Sequence, residues 1–379
     1  MSNLYLDFHI LQTVGPANIN RDDSGSPKSA VFGGVRRARV SSQAWKRAIR
    51  KDFEKFLDRN DLGERTMFAV DRIAEAIIES NPELADRAQE LAKDALTASG
   101  IKVQAPKKKE ADADATRPVT GYLLFLARRQ IQALAKLAVE SAESGKVDKK
   151  QAKAAVQDQH SIDVSLFGRM IADAPELNAD ACCQVAHAIG VHASDTEFDY
   201  FTAVDDNAPE DNAGAGMIGT VEFVSSTLYR YATINVTELI KNLGSQEAAV
   251  RAVEAFAQSL ITSMPTGKQN TFANRTRPEL ALLSVRSDQP VNFVEAFETA
   301  ITNTSGRVTE ATRKLAEHAF ESDEAYGSEP ETCVFLATGG ATAAEAISAL
   351  EKLGNKVNLP ELISTAGDAV RNIKLNEDA

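Results

Sequence analysis

Hydrophobic and polar positions alternate at the start of the chain. Leu4, Leu6, Phe8 and Ile10 fall on one side of a strand over residues 4–14. After a polar loop through Asn20, Arg21, Asp22 and Asp23, Gly33-Gly34 marks a turn, and residues 36–40 read as a short strand. Ser41 or Ser42 then caps a helix in which Trp45, Ala48, Ile49, Phe53 and Phe56 recur at helical spacing, predicting one buried stripe. From about residue 61 to 158 the period is almost wholly helical, over 68–80, 82–99 and 122–144, followed by a Lys/Ala-rich piece. Pro106-Lys107-Lys108-Lys109-Glu110 interrupts this block as an exposed loop. Strand patterns return at 161–167, 184–192 and 220–236, and a long amphipathic helix follows to about Ser263. The remainder reads as a turn at Pro265-Thr266-Gly267-Lys268, a strand over 280–285, a helix around Phe293, a strand over 333–338 and two closing amphipathic helices. The order of elements is that of an α+β fold with a helical insertion.

At 379 residues and 43% hydrophobic, the chain can bury a substantial core, as one large domain with insertions or as two domains. Three cysteines, Cys182, Cys183 and Cys333, are too few for a disulfide framework and fit a reducing compartment, the cytoplasm. The first residues lack a cationic segment followed by a long apolar one, and no stretch approaches eighteen apolar residues. Neither secretion nor membrane insertion is expected.

Charge changes the picture at one place. From Arg21 to Lys51 the chain carries nine cations (Arg21, Lys28, Arg36, Arg37, Arg39, Lys46, Arg47, Arg50, Lys51) against Asp22 and Asp23. Nine minus two is a net of +7, inside a chain whose net charge is -12. Lys46/Arg50 and Arg47/Lys51 are each four apart, so like charges become neighbours on the helix surface, a repulsion that a bound phosphate backbone relieves. The run therefore points to a polyanion, against the plainer alternative of a solvated cationic face. Residues 193–229 have the opposite character, with Asp195, Glu197, Asp199, Asp205, Asp206, Glu210, Asp211 and Glu222 and no Lys or Arg. Phe198, Tyr200, Phe201 and Val204 cluster in its middle. They suit either an apolar wedge between bases, with the acids laid on the basic surface of a neighbouring copy, or a core beneath a loop.

Motifs along nearly the whole chain resemble the CasC family, the repeated backbone subunit of the type I-E CRISPR complex Cascade in the RAMP superfamily. They are NRDD (20–23), FGGVRRARVSSQAWKRAIRK (32–51), SLFGRM (165–170), AHAI (186–189), DYFTAVDD (199–206), YRYATINV (229–236) and PTGKQNTFA (265–273). The resemblance implies an RRM-like (ferredoxin-like) palm over 1–60 and 161–379, helical fingers over 61–160 and an extended thumb over 193–224. It implies a multi-copy, non-catalytic protein that holds a CRISPR RNA and presents it to target DNA in antiviral defence. Copies would assemble head to tail, alongside other Cascade subunits and without a membrane.

Carried over by position, Arg21, Lys28, Lys46, Arg50 and Lys268 would contact the guide backbone, with Gln43 and Gln269 in matching slots. Arg36, Arg37, Arg47 and Lys51 join them as members of the basic run. Met170 and Phe201 would flank a displaced base, the use of apolar side chains that unstack a strand. Val35 departs from the pattern, since relatives can carry a lysine after Phe-Gly-Gly, so no phosphate contact is carried over to it.

Enzyme chemistry has one foothold. Asp22 and Asp23 beside a proposed RNA path could hold Mg²⁺ for RAMP-type strand cleavage, although either could instead pair with Arg21 or cap a turn. His9, His160, His187, His192 and His318 are scattered and read as satisfied structural histidines. Cys182-Cys183 lacks the gap of a zinc knuckle, and no GxxxxGKS/T or GxGxxG motif is present. No cofactor or metal is implied.

Overall fold

The structure is a computed structural model that describes residues 3–105, 117–158, 160–171, 174–203 and 217–373. The expected loop at 106–110 lies outside them, as do Val204, Asp205, Asp206, Glu210 and Asp211. The chain is α+β and divides into two compact units, the first holding 1–53, 184–237 and 253–379 and the second 54–183 and 238–252. Residues 161–183, read from the sequence as part of the palm, fall in the second unit.

A ten-stranded sheet organises the first unit. Its strands are β1 (Tyr5–Ala17), β2 (Ser29–Phe32), β3 (Val35–Val40), β4 (Cys183–Val185), β5 (Ala188–Gly190), β6 (Glu197–Ala203), β7 (Met217–Asn235), β8 (Leu280–Arg286), β9 (Thr332–Ala337) and β10 (Asn355–Lys356). The order is β10-β9-β8-β1-β7-β5-β3-β2, with β6 and β4 also paired to β7. β1 lies antiparallel between β7 and β8, in register Phe8↔Ala232 and Phe8↔Leu283. Its apolar face is buried as the alternation predicts, but Asp7 and His9 on the other face are buried as well, as is Gln12, which continues the apolar face. Polar pairing makes that possible, because a buried polar group is costly without a partner. Asp7 accepts from the Tyr231 hydroxyl and the Val291 amide, and burial pushes its carboxyl up to about 6. The His9 Nδ1 lies 2.9 Å from the Tyr229 hydroxyl, and burial pushes this imidazole down to about 3. Gln12 accepts from Arg230 at 2.7 Å.

The long helix expected up to Ser263 is two, Val236–Leu243 and Gln246–Thr262, broken where Gly244 takes a φ of 65°. A 20-residue helix, Arg307–Tyr326, that the sequence reading did not pick out packs Ala311, Leu315 and Ala319 into the core beneath Leu282 and Phe335.

The second unit is built from helices Ala69–Ser80, Ala88–Ala98, Arg128–Ser144 and Lys149–Gln157 around Val70, Ile73, Ile77, Leu91, Leu96 and Leu134. Residues 161–167, expected as a strand, instead form helix Ile162–Phe167. Ser161 Oγ accepts from the Val164 amide, and Gly168 at φ 77° ends the turn. Within this unit the Arg169 guanidinium is buried against the carbonyls of Leu177, Phe125 and Val156. Arg169 and Ala179 exchange both backbone hydrogen bonds at 2.9 Å, which fixes the backbone on which Met170 stands.

Candidate nucleic-acid interface

The basic run folds as a hairpin and a helix, both anchored from below. Phe32 pairs with Val35 across Gly33-Gly34, whose φ values of 58° and 77° suit the left-handed pair of a two-residue hairpin turn. A side chain at Gly33 would also overlap the Glu298 carbonyl. α1 (Ser42–Asp52) starts at Ser41, whose Oγ accepts from the Ala44 amide while its own amide donates to Asn20 Oδ1 at 2.8 Å. Trp45, Ile49 and Phe53 are buried as predicted, whereas Phe56 lies beyond the helix and is 47% exposed. The Arg230 guanidinium stands 3.7 Å from the centre of the Trp45 ring, a cation–π contact that fixes the rotation of α1. With that stripe buried, Gln43, Arg47 and Lys51 are exposed and Lys46 and Arg50 half-buried.

Two further segments join α1. In the first, Asp22 Oδ1 accepts from the amides of Ser24 and Ser26 and from the Ser24 hydroxyl, so the residue closes its own loop. The Ser24 hydroxyl, with those amides, holds the Asp22 carboxyl below its ordinary range. Arg21 is exposed and bridges Pro27, while the Lys28 amide donates to the Asn20 carbonyl. In the second, Gly267 lies so close to the Ile19 backbone that a Cβ would stand 2.4 Å from the carbonyl oxygen. This approach sets Lys268 and Gln269, both half-buried, beside the Arg21 loop. Lys268 adopts φ 48°, a left-handed conformation that a β-carbon disfavours. Thus Arg21, Lys28, Gln43, Lys46, Lys268 and Gln269 gather around the start of α1, and Arg47, Arg50 and Lys51 continue along it.

Two other members of the run behave differently. Arg36 is exposed and donates to Ser29 Oγ at 2.8 Å. Arg37 is the correction: it is fully buried, and its guanidinium donates to the carbonyls of Gly190, Phe297 and Glu298. Alternation along β3 sets it on the opposite face from Arg36, so it is an internal strut of the first unit and is not presented to solvent. The sequence reading counted Arg39 as charge only and took His187 for a structural histidine, yet His187 is exposed, with its Nδ1 3.0 Å from Arg39. His9, His160 and His192 do hydrogen-bond internally, and His318 packs edge-on to Phe293.

β6 and β7 form the acidic hairpin, pairing Phe201 with Gly219 and Phe198 with Glu222. Its base meets the basic segments: Asn18 donates to the Glu222 carbonyl, and the Phe223 and Phe272 rings lie 5.8 Å apart. Phe198, Tyr200 and Ile218 share one face and are 65%, 64% and 61% exposed, so they are not core. Phe201 is on the opposite face, half-buried, and its ring lies over Gly219, where a Cβ would stand 2.4 Å from Cζ. In the second unit Met170 is 82% exposed. Among the described residues no three His, Cys, Asp or Glu are grouped to hold a metal ion, and no helix is long and apolar enough to cross a membrane.

Comparison with known proteins covers nearly the whole chain. The family model described as CT1975-like protein matches residues 6–365. A chain of a CRISPR RNA-guided surveillance complex, pre-nicking, is 34% identical, with a TM-score of 0.83 over 97% of this chain and 100% of that one. A chain of a second CRISPR RNA-guided surveillance complex is 29% identical, with a TM-score of 0.75 over 96% of this chain and 99% of that one. No curated protein matches.

Proposed function

We propose that this chain, which belongs to the CT1975-like protein family, is a CRISPR RNA-binding backbone subunit of a Cascade surveillance complex. CRISPR RNA and the other subunits of that complex are its partners. The carrying observation is the gathering of Arg21, Lys28, Lys46, Arg50 and Lys268 around one capped helix, through Asn20 to Ser41 and Gly267 to Ile19. Cations spread over several segments track a phosphate backbone without reading bases, so sequence specificity is left to guide pairing.

Finer features belong to the same reading. In the cytoplasm, copies stack head to tail in the type I-E manner, the acidic hairpin of one laid toward the basic segments of the next. Such a contact does not close on itself, so RNA length sets the number of copies. Phe201 on the first unit and Met170 on the second each serve as an apolar contact to a displaced base, and the exposed guide pairs with target DNA. The role is one of binding and not of catalysis, and Asp22 uses Oδ1 to hold its own loop.

The test is the salt dependence of RNA binding. Replacing Lys46 and Arg50 by alanine lowers affinity for unrelated single-stranded RNAs alike. It flattens the slope of log K against log salt by about 0.7 per lost contact, about 1.4 for the pair. An unchanged slope removes these cations from the RNA path.

A further inference from the structure

His187 is the only one of the five histidines that is exposed. It stands between β4 and β5, where the Ala186 amide donates to the Tyr231 carbonyl and Ile189 pairs with Arg39 of β3. The Arg39 guanidinium reaches back to His187 Nδ1 at 3.0 Å and to the Ser29 carbonyl at 3.3 Å. A guanidinium can only donate, so Nδ1 is the acceptor and the proton of the neutral ring sits on Nε2. The Arg39 amide donates to the carbonyl of Lys28, whose own amide donates to Asn20, so the group adjoins the start of α1. Partial burial, then the charges of Arg39 on β3 and Lys28 on the segment before β2, hold the imidazole below its ordinary range. None of the charged groups acting on His187 among the described residues is acidic.

A histidine hydrogen-bonded to Arg39, with Lys28 on the neighbouring segment, makes a basic site that lacks only its anion. We propose that Lys28, Arg39 and His187 form a phosphodiester subsite for the guide RNA, and that His187 takes up a proton from solvent when the RNA binds. The proposal rests on the RNA-binding reading above. A phosphate oxygen between Lys28 and Arg39 offsets the two charges that oppose protonation and draws the guanidinium from Nδ1. The ring is then free to become a third cationic donor to the same phosphate. The sign follows: His187 titrates higher with RNA bound than without it, so between the two values binding takes up a proton. Affinity rises as pH falls through that window, by at most about tenfold per pH unit for one proton.

The experiment measures binding of a guide-length single-stranded RNA by fluorescence anisotropy at pH 7.5 and 5.5, at fixed ionic strength. The proteins are the unaltered chain, His187→Gln, Arg39→Gln and the Lys46/Arg50 double variant. The unaltered protein is expected to tighten by about three- to tenfold at the lower pH, and His187→Gln by less than about twofold. Arg39→Gln binds more weakly at both. His187 is exposed, so its variant keeps the fold, which circular dichroism checks. Equal pH dependence in the unaltered protein and His187→Gln, or none in either, overturns the subsite. If the double variant binds more weakly than the unaltered protein at both pH values, RNA binding stands whatever becomes of the subsite; if it binds as the unaltered protein does, Lys46 and Arg50 leave the RNA path and the RNA-binding reading loses the observation that carries it.

Discussion

Gly267 has no room for a methyl group, because its Cβ would stand 2.4 Å from the Ile19 carbonyl oxygen. Replacing it by alanine forces the 265–268 turn away from the Arg21 loop and carries Lys268 with it. The expected cost is about 1–3 kcal/mol in urea unfolding, with a loss of RNA affinity that persists where the variant is fully folded. Normal affinity in a folded Gly267→Ala protein would show that Lys268 is not held against RNA. At this scale the sequence named charges and could not orient them. Arg36 and Arg37 are adjacent and identical in kind, yet one donates to the Ser29 hydroxyl at the surface and the other is buried under three carbonyls. The alternation of a strand separates them, but which face is inward depends on β5 and on residues 297–298, distant in the chain. The pairing of Arg39 with His187 was missed for a related reason, since 148 positions divide them and only the β3–β5 pairing makes them neighbours.

Among elements, the hairpin turn, β3 and α1 were legible from local chemistry: two glycines, a serine cap and apolar residues at helical spacing. Residues 161–167 were not. Seven residues are too few for periodicity to separate strand from helix, and the decision rests on the Ser161 cap and the Gly168 stop. β1 was read as a strand with one buried face, whereas its polar positions are buried too, satisfied by Tyr229, Tyr231 and Arg230 from β7. The β6–β7 hairpin carries its own prediction. Phe201→Ala should cost less than about 1 kcal/mol, because the ring covers a glycine and not the core. It should abolish the regular spacing of reactive bases on bound RNA, and Gly219→Ala, which displaces the same ring, should do likewise. Unaltered spacing in a folded Phe201→Ala complex would remove the wedge; an unfolded protein would return Phe201 to the core.

For the molecule as a whole, the segregation of charge was plain in the sequence: a +7 run in a chain of net -12, and eight acids over 193–229 without a cation. Unit boundaries were less so, because the second unit draws on 54–183 together with 238–252, a return of the chain that no composition shift marks. The segregated charges are what an RNA-templated assembly uses, and the central claim is that copies of this chain coat a guide. Its most direct test is to co-express the chain with a CRISPR array and its processing enzyme, purify it in Mg²⁺, and map the copurified RNA by nuclease footprinting. The account predicts intact guide RNA, protected along its length and reactive at evenly spaced bases. RNA severed at that same spacing and made whole by Asp22→Ala would contradict it, and would make the chain a nuclease with the fold described here.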